Sequence, residues 1–424
     1  MMNNIYEYFT YKRYENFRYN NTFNTDNEIS TVFVNSSDKE EHSLLLLPDD
    51  LINIILKVFR FTKYQLDGNY NIKKNYPSPR GKYPFFPIIN YYGYYYLYDS
   101  LCDKFRYLNY ISEDILNIEI YICLDIWRIG SIYGEFSIIL SMLENGHILS
   151  EINNSVSSTK YKLKNQKIIF QNIDENLLEN ASDTYIVSVI SLDSISKSNM
   201  KRFRKRNVIQ KKFNYRESIN HLNLNSFFER FNKDMNIDFE TINVNNDLNY
   251  HRHSHNQEFG FFQIERNNTF KLTKYLQAIS EYLNRIKGYN FYFIVNNVKD
   301  IDQGVYLYNC NQLILLNKKF NINNILHDYR EYNNLENVLF SIIISTKPED
   351  YSYEKFIKVQ IEVGYILNNL ITLYSEKGRF VRPIRNIDDF YCSEVCNFEE
   401  EEYIIYCGIF GMGNQSTTLF LEEI

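Results

Sequence analysis

Three groups of residues in this chain combine types and spacings that could do chemistry. Residues 201–206 read KRFRKR and are followed by Asn207, Lys211 and Lys212. Arg204, Arg206 and Lys211 are cations of the kind that hold a phosphate dianion, because guanidinium forks match its oxygens. Arg379, Arg382 and Arg385, near the C-terminal end, are further candidates for the same task. A run of like charge is usually an ordinary solvated surface, and on the residues alone that is the favoured reading. Residues 77–84 read PSPRGKYP. Gly81 has no Cβ and lets the backbone come close to a flat ligand, although Pro-Ser-Gly clusters are usually plain turns. His251, His253 and His255 alternate as ligands on one face of a strand would. No acidic or cysteine partner stands at ligand spacing and the stretch is polar, so it reads as a surface loop and no metal is expected. Cys392 and Cys396 are the one close cysteine pair, which reads as incidental. No Gly-x-Gly-x-x-Gly run follows a strand-like segment, so no nicotinamide site is indicated.

The elements that must position such residues come in two sets. Residues 133–146 (YGEFSIILSMLENG) and 351–364 (YSYEKFIKVQIEVG) align so that Tyr133 and Tyr351, Glu144 and Glu362, and Gly146 and Gly364 are each 218 positions apart. Tyr96-Leu97-Tyr98-Asp99 and Tyr306-Leu307-Tyr308-Asn309 precede the two copies, and Asn172-Ile173-Asp174-Glu175 and Asn386-Ile387-Asp388-Asp389 follow them. Self-similarity at half the chain length means two copies of one domain. Their boundary is placed at residue 197, in a short polar stretch, giving units 1–197 and 198–424. Residues 1–45 read as a partly ordered polar arm and 44–61 as a helix with Pro48 and Asp49 near its start. Apolar runs at 85–98, 118–126 and 185–191 read as strands, with a long apolar helix at 133–152. In the second unit 291–298, 305–308, 338–345 and 402–410 read as strands and 356–374 as a long helix. This alternation predicts an α+β fold with a sheet sandwiched by helices in each copy.

Composition bounds the rest. A chain of 424 residues suits two domains, each with its own core. The net charge of −6 argues against a general nucleic-acid binder. The 38 Tyr and 31 Phe, with abundant Asn, Ile and Lys, reflect an AT-rich coding sequence more than function. No signal-peptide core and no apolar run long enough to span a membrane is visible. Six scattered cysteines fit a reducing, cytoplasmic setting.

Read together, the motifs resemble SagB-type azoline dehydrogenases of the nitroreductase superfamily. The first copy carries residues 77–84, then Gly93-Tyr94-Tyr95-Tyr96-Leu97-Tyr98-Asp99, Tyr133-Gly134-Glu135 and Leu143-Glu144-Asn145-Gly146-His147 in that family's order. The second copy carries Gly304-Val305-Tyr306-Leu307-Tyr308, Tyr351, Ile361-Glu362-Val363-Gly364-Tyr365 and Asn368-Asn369. Such proteins are two-fold dimers with FMN at the interface, one subunit's arginine motif on the phosphate and the other's Pro-Ser loop beside the isoalloxazine. The resemblance therefore implies two tandem nitroreductase-like domains forming a pseudo-dimer within one chain, with one composite FMN site. Arg204, Arg206, Asn207, Lys211 and Arg382, with Glu362 and Gly364, would come from the second copy. Pro77, Ser78, Gly81 and Tyr83 would come from the first, and the symmetry-related site would have decayed. It also implies oxidation of thiazolines or oxazolines in a ribosomally made precursor peptide, after a partner cyclodehydratase has formed them. The family's Lys-Tyr pair at the start of the long helix keeps only its tyrosines, Tyr133 and Tyr351. Ile132 and Asp350 stand where the lysine is expected. Asp350, Lys355 or Lys358 could substitute, or activity could be lost, leaving a scaffold or peptide-binding subunit. A small-molecule flavin nitroreductase is the remaining alternative.

Overall fold

The computed structural model describes residues 5–10, 47–65, 72–111, 117–173, 177–178, 184–194, 234–237, 239, 270–326, 335, 338–375, 379–412 and 418–420. Two sheets carry the same topology. The first contains β3 (Phe85–Tyr91), β4 (Tyr94–Asp99), β5 (Lys104–Tyr110), β6 (Ile118–Asp125), β7 (Tyr161–Asn172) and β8 (Thr184–Ser194) in the order β5-β4-β3-β6-β8-β7. The second contains β10 (Asn290–Val295), β11 (Gly304–Asn309), β12 (Gln312–Asn317), β13 (Phe340–Thr346), β14 (Arg379–Ile384) and β15 (Tyr403–Met412) in the order β12-β11-β10-β13-β15-β14. Reading each sheet in chain order gives one pattern, and neighbours are antiparallel throughout. The repeat seen in sequence is thus a repeat of fold.

Four helices complete the two copies: α2 (Asp49–Phe59) and α4 (Ser137–Val156) in the first, α5 (Leu272–Arg285) and α6 (Tyr353–Tyr374) in the second. The ends of the two long helices, Val156 and Tyr374, keep the 218-residue offset. Every residue of α4 except Leu140 is buried, so α4 is a core helix with no solvent stripe. Inner-face residues of both sheets, such as Ile120 and Leu124 or Phe293 and Ile342, join the helices in a single apolar cluster. Smaller clusters cover the outer face of each sheet.

α4 and α6 pack backbone to backbone. A Cβ added at Gly146 would sit 2.1 Å from the Ile361 carbonyl oxygen, and one at Gly364 would sit 2.1 Å from that of Leu143. The repeated glycines are therefore the reciprocal contacts of the crossing, where only glycine fits. Buried polar groups beside them are paired across the crossing. Asn368 Nδ2 donates to Ser150 Oγ at 3.1 Å and to Glu151 Oε1 at 2.7 Å, and Ser150 Oγ donates to Asn369 at 2.8 Å. His147 sits between Asn368 and Tyr406, and Asn153 donates to the Tyr365 hydroxyl.

Short segments cross between the copies. β9 (Met235–Asn236) adds to β7 of the first sheet. β16 (Thr418–Phe420) pairs with β1 (Lys63–Gln65), which pairs with β2 (Ile72–Lys73), so the C-terminal extension reaches the first copy. The expected boundary at residue 197 lies outside the described residues.

Several elements differ from the sequence expectation. The first helix begins at Asp49, because Pro48 is its extended N-cap. The helix expected from residue 133 is broken: α3 (Trp127–Tyr133) ends at Gly134, whose φ of 56° suits glycine, and α4 starts three residues later. Part of the expected N-terminal arm is a buried helix, α1 (Ile5–Phe9). Among the described residues no helix is long and apolar enough to cross a membrane, and no group of three His, Cys, Asp or Glu could hold a metal.

Candidate functional site

The two copies differ most where α2 and α5 lead into their sheets. In the second copy only residues 286–289 link α5 to β10, whereas in the first copy residues 60–84 lie between α2 and β3. That excursion holds β1, β2 and the PSPRGKYP loop, which explains why the second copy has no counterpart. The loop is tightly turned: Arg80, Gly81 and Tyr83 have φ of 48°, 61° and 45°. Glycine adopts this region freely, but the two side-chain-bearing residues must be held there by their surroundings.

A closed circuit of contacts holds them. The Lys74 backbone N–H donates to the Tyr83 hydroxyl at 3.0 Å, and the Tyr83 N–H donates to Ser78 Oγ at 2.9 Å. Ser78 Oγ donates in turn to Glu144 Oε2 at 2.9 Å. Glu144 is fully enclosed and its other oxygen, Oε1, has no hydrogen-bond partner among the described residues. Burial pushes its carboxyl well above the usual range, against the opposing pull of Ser78 and Lys74. Lys74 is 1% exposed, its ammonium 5.0–5.9 Å from the ring centres of Phe59, Phe61, Tyr76 and Tyr83. Burial, helped by the nearby Arg128 charge, pushes its pKa down to about 7. Sequence reading missed Lys74 altogether.

Beside this circuit the copies meet. Arg80 lies over the Tyr133 ring at 5.4 Å, and Arg382 from β14 of the second copy acts electrostatically on Tyr133. Of the three C-terminal arginines, Arg379 stacks on Phe270 and Tyr374, and Arg385 pairs with Asp389 at 3.0 Å. Arg382 makes no ion pair or side-chain hydrogen bond among the described residues. Desolvation lowers it to about 9, so it stays charged at neutral pH as a partly enclosed guanidinium with no counter-ion among the described residues. Gly134, next to Tyr133, has open space where a Cβ would stand. This corner therefore offers a cation near Tyr133 and open space at the neighbouring Gly134.

The equivalent corner of the second copy is filled. Tyr6 of α1 packs edge-on against Tyr351 and Phe356, with ring centres 5.9 and 5.0 Å away, and Phe9 stacks on Phe356. Glu362 accepts from the Tyr289 hydroxyl and pairs with Lys358 at 3.6 Å. Burial raises the Tyr351 hydroxyl to about 12. Asp350 is exposed; the backbone and hydroxyl of Ser352 donate to it and lower its pKa, which makes it a poor base. Gly364 faces Leu143 of α4 and is accounted for by the helix crossing. So Ser78, Tyr83 and Glu144 are hydrogen-bonded together, Arg80 of the same loop lies on Tyr133, and Tyr133 interacts electrostatically with Arg382, whereas Asp350, Tyr351, Glu362 and Gly364 lie elsewhere. Arg204, Arg206, Asn207, Lys211 and the three histidines lie outside the described residues. A surface cleft of about 320 Å³ at Ser393, Glu394 and residues 398–403 is acidic and shares no lining residue with this corner.

The sequence matches no protein-family model and no curated protein. Its fold has solved counterparts. A provisionally assigned nitroreductase from Anabaena variabilis is similar over 86% of this chain and 88% of its own, with a TM-score of 0.61 at 14% identity. A chain of the Escherichia coli microcin synthetase McbBCD complex, solved with truncated pro-MccB17 bound, matches over 47% of this chain and 85% of its own, with a TM-score of 0.31 at 13% identity. A nitroreductase family protein from Clostridium novyi matches over 40% of this chain and 85% of its own, with a TM-score of 0.27 at 12% identity. The first of these shows that the chain has a nitroreductase-like fold.

Proposed function

We propose that this chain is an FMN-dependent dehydrogenase. In this reading it oxidises thiazolines or oxazolines of a ribosomally made precursor peptide to the aromatic azoles, in the cytoplasm and alongside a cyclodehydratase that forms the rings. The observation that carries the reading is the corner where Arg382 of one copy, with no counter-ion among the described residues, interacts electrostatically with Tyr133 of the other, on whose ring Arg80 of the Ser78 loop lies. These residues fit FMN: a partly enclosed guanidinium suits a phosphate or another anionic part of the cofactor, and the turned loop at Gly81 suits close approach of a flat ring. Arg204, Arg206, Asn207 and Lys211 would add phosphate contacts, and Pro77, Ser78, Gly81 and Tyr83 would line the ring. When bound, FMN supplies the acceptor for the two electrons that leave the azoline ring.

The protein's own task is positional and protonic. Ser78 and Tyr83 fix the loop, and Tyr133 is the group placed to take the Cα proton of the azoline. To act as that base Tyr133 would have to be ionised first, and its cationic neighbours Arg80 and Arg382 favour the phenolate. No lysine stands at the helix start, since Ile132 occupies that place.

The test is turnover of an azoline-bearing peptide by the FMN-reconstituted protein in air. The expected result is loss of two hydrogens per ring with one oxygen consumed, and strong reduction by Tyr133→Phe. Tight peptide binding without oxidation would favour a scaffold subunit instead. Nicotinamide-driven reduction of small nitroaromatics without peptide oxidation would favour a general nitroreductase.

A further inference from the structure

The loop that carries Gly81 is tied to α3 at two points, one on each side of the glycine. On one side Arg80 lies over the ring of Tyr133, the last residue of α3, with its guanidinium 5.4 Å from the ring centre. On the other side Tyr83 is met by Arg128, from the first turn of the same helix. Tyr83 has a φ of 45°, so its backbone groups lie outside any regular ladder and depend on side chains for partners. Its N–H donates to Ser78 Oγ at 2.9 Å, and its carbonyl oxygen accepts from Arg128 Nη1, a longer contact of 3.4 Å. Arg128 is itself held in place. Its Nε lies 3.3 Å from Asp125 Oδ2 in an ion pair, and Asp125 is buried. The Asp125 N–H donates to the Pro84 carbonyl at 2.9 Å, and the next residue, Phe85, pairs with Leu124. Loop, strand end and helix start therefore form one connected piece. Arg128 and Tyr133 stand about 7.5 Å apart along the helix axis, so the two ties hold the loop along the length of α3.

We propose that Arg128 is a positioning residue: by clasping the Tyr83 carbonyl to α3, it sets how the Gly81 backbone stands relative to Tyr133. An arginine suits the task, because its planar fork meets a carboxylate with one nitrogen and a carbonyl with another. The Arg80 tie is the weaker of the two. Arg80 is exposed, and a cation over a half-buried ring contributes less than a charged donor on a part-buried carbonyl. Without Arg128 the left-handed turn at Tyr83 would keep Ser78 on its N–H but lose the hold on its carbonyl. Gly81 would then shift against the hydroxyl of Tyr133. The link to catalysis rests on the flavin reading; the clasp itself does not.

The test is amide hydrogen exchange in the flavin-free protein, then spectroscopy and turnover with FMN, in wild type, Arg128→Met and Arg128→Lys. The Gly81 and Lys82 N–H groups bond to the Ser78 and Pro79 carbonyls at 3.0 and 3.1 Å and, with the Tyr83 N–H, report opening of the turn. Arg128→Met should speed exchange at these three amides about tenfold, as one charge-assisted bond is lost, with α4 amides unchanged. Arg128→Lys, which keeps the charge but not the fork, should fall between. In the FMN-loaded protein, Arg128→Met should alter the visible circular dichroism of the flavin. It should also lower kcat for azoline oxidation about tenfold, with KM for the peptide held within about twofold, and Arg128→Lys should recover part of both. Unchanged exchange at residues 81–83 in Arg128→Met would overturn the proposal. So would an equal rise in α4, which marks general loosening, or faster loop exchange with unaltered dichroism and kcat. A wild-type protein that binds no flavin, while the exchange result holds, would sink the flavin reading and leave the clasp standing.

Discussion

Gly364→Ala tests the helix crossing on which the pseudo-dimer rests, and its sign is informative. In the middle of a long helix, alanine is favoured over glycine by about 1 kcal/mol. Without a close neighbour the substitution should therefore stabilise the protein. At Gly364 the new Cβ would lie 2.1 Å from the Leu143 carbonyl oxygen, whereas carbon–oxygen contacts settle at about 3.3 Å or more. The obstacle is backbone, so no side chain can rotate away and the helices must part by about 1 Å. Separation would strain the bonds from Asn368 to Ser150 and Glu151, which span the same crossing. Overpacking of a core costs typically 1–3 kcal/mol. With a rigid obstacle and buried polar pairs disturbed, the expected net loss is about 3 kcal/mol or more. Urea unfolding followed by far-ultraviolet circular dichroism measures it. Gly146→Ala should behave alike, and the double variant should cost much less than the sum, because both force the same crossing apart. Unchanged or increased stability in Gly364→Ala would refute the close packing of α4 on α6.

Two further outcomes are expected. Tyr6→Ala should release α1 from Tyr351 and Phe356, making the N-terminal segment quickly cleaved in limited proteolysis while flavin content stays the same, since Tyr289 and Lys358 still occupy Glu362. Asp300→Ala should cost about 1 kcal/mol by removing the acceptor for the Leu272 and Thr273 N–H groups at the start of α5. Burial tends to raise the Asp300 carboxyl, but its bonds to Thr273 and Leu272 outweigh that and lower it. Its contribution is thus complete above the ordinary carboxylate range and fades as pH falls through the lowered value, so wild type and variant should converge in urea midpoint in acid.

The duplication was legible because the residues that carry it are constrained by contact with their own copies. Gly146 and Gly364 touch each other's helices, and Ser150 and Asn368, also 218 apart, hydrogen-bond to each other. The central strands were legible from their apolar runs. Strands β5 (KFRYLNY) and β7 (YKLKNQKIIFQN) were not, because they are polar, lie toward opposite edges of the sheet and take their form from their neighbours. α1 is too short to hold together alone and exists by packing on α6. Ser78 was found by its motif, but its partner was not. Glu144 lies 66 residues further on, and nothing near Lys74 in sequence marks it as enclosed. Arg382 was one of three candidates, and only the pairing of Arg379 and Arg385 elsewhere singled it out.

The measurement that bears most directly on the account is the flavin content of the purified protein. Absorbance between about 350 and 500 nm, after reconstitution with FMN, gives the ratio of flavin to chain. The account predicts one FMN per chain, with binding weakened by Arg382→Gln and untouched by Lys358→Gln in the filled corner. Two FMN per chain would contradict the filled second corner, and a protein that binds none would contradict the cofactor site itself.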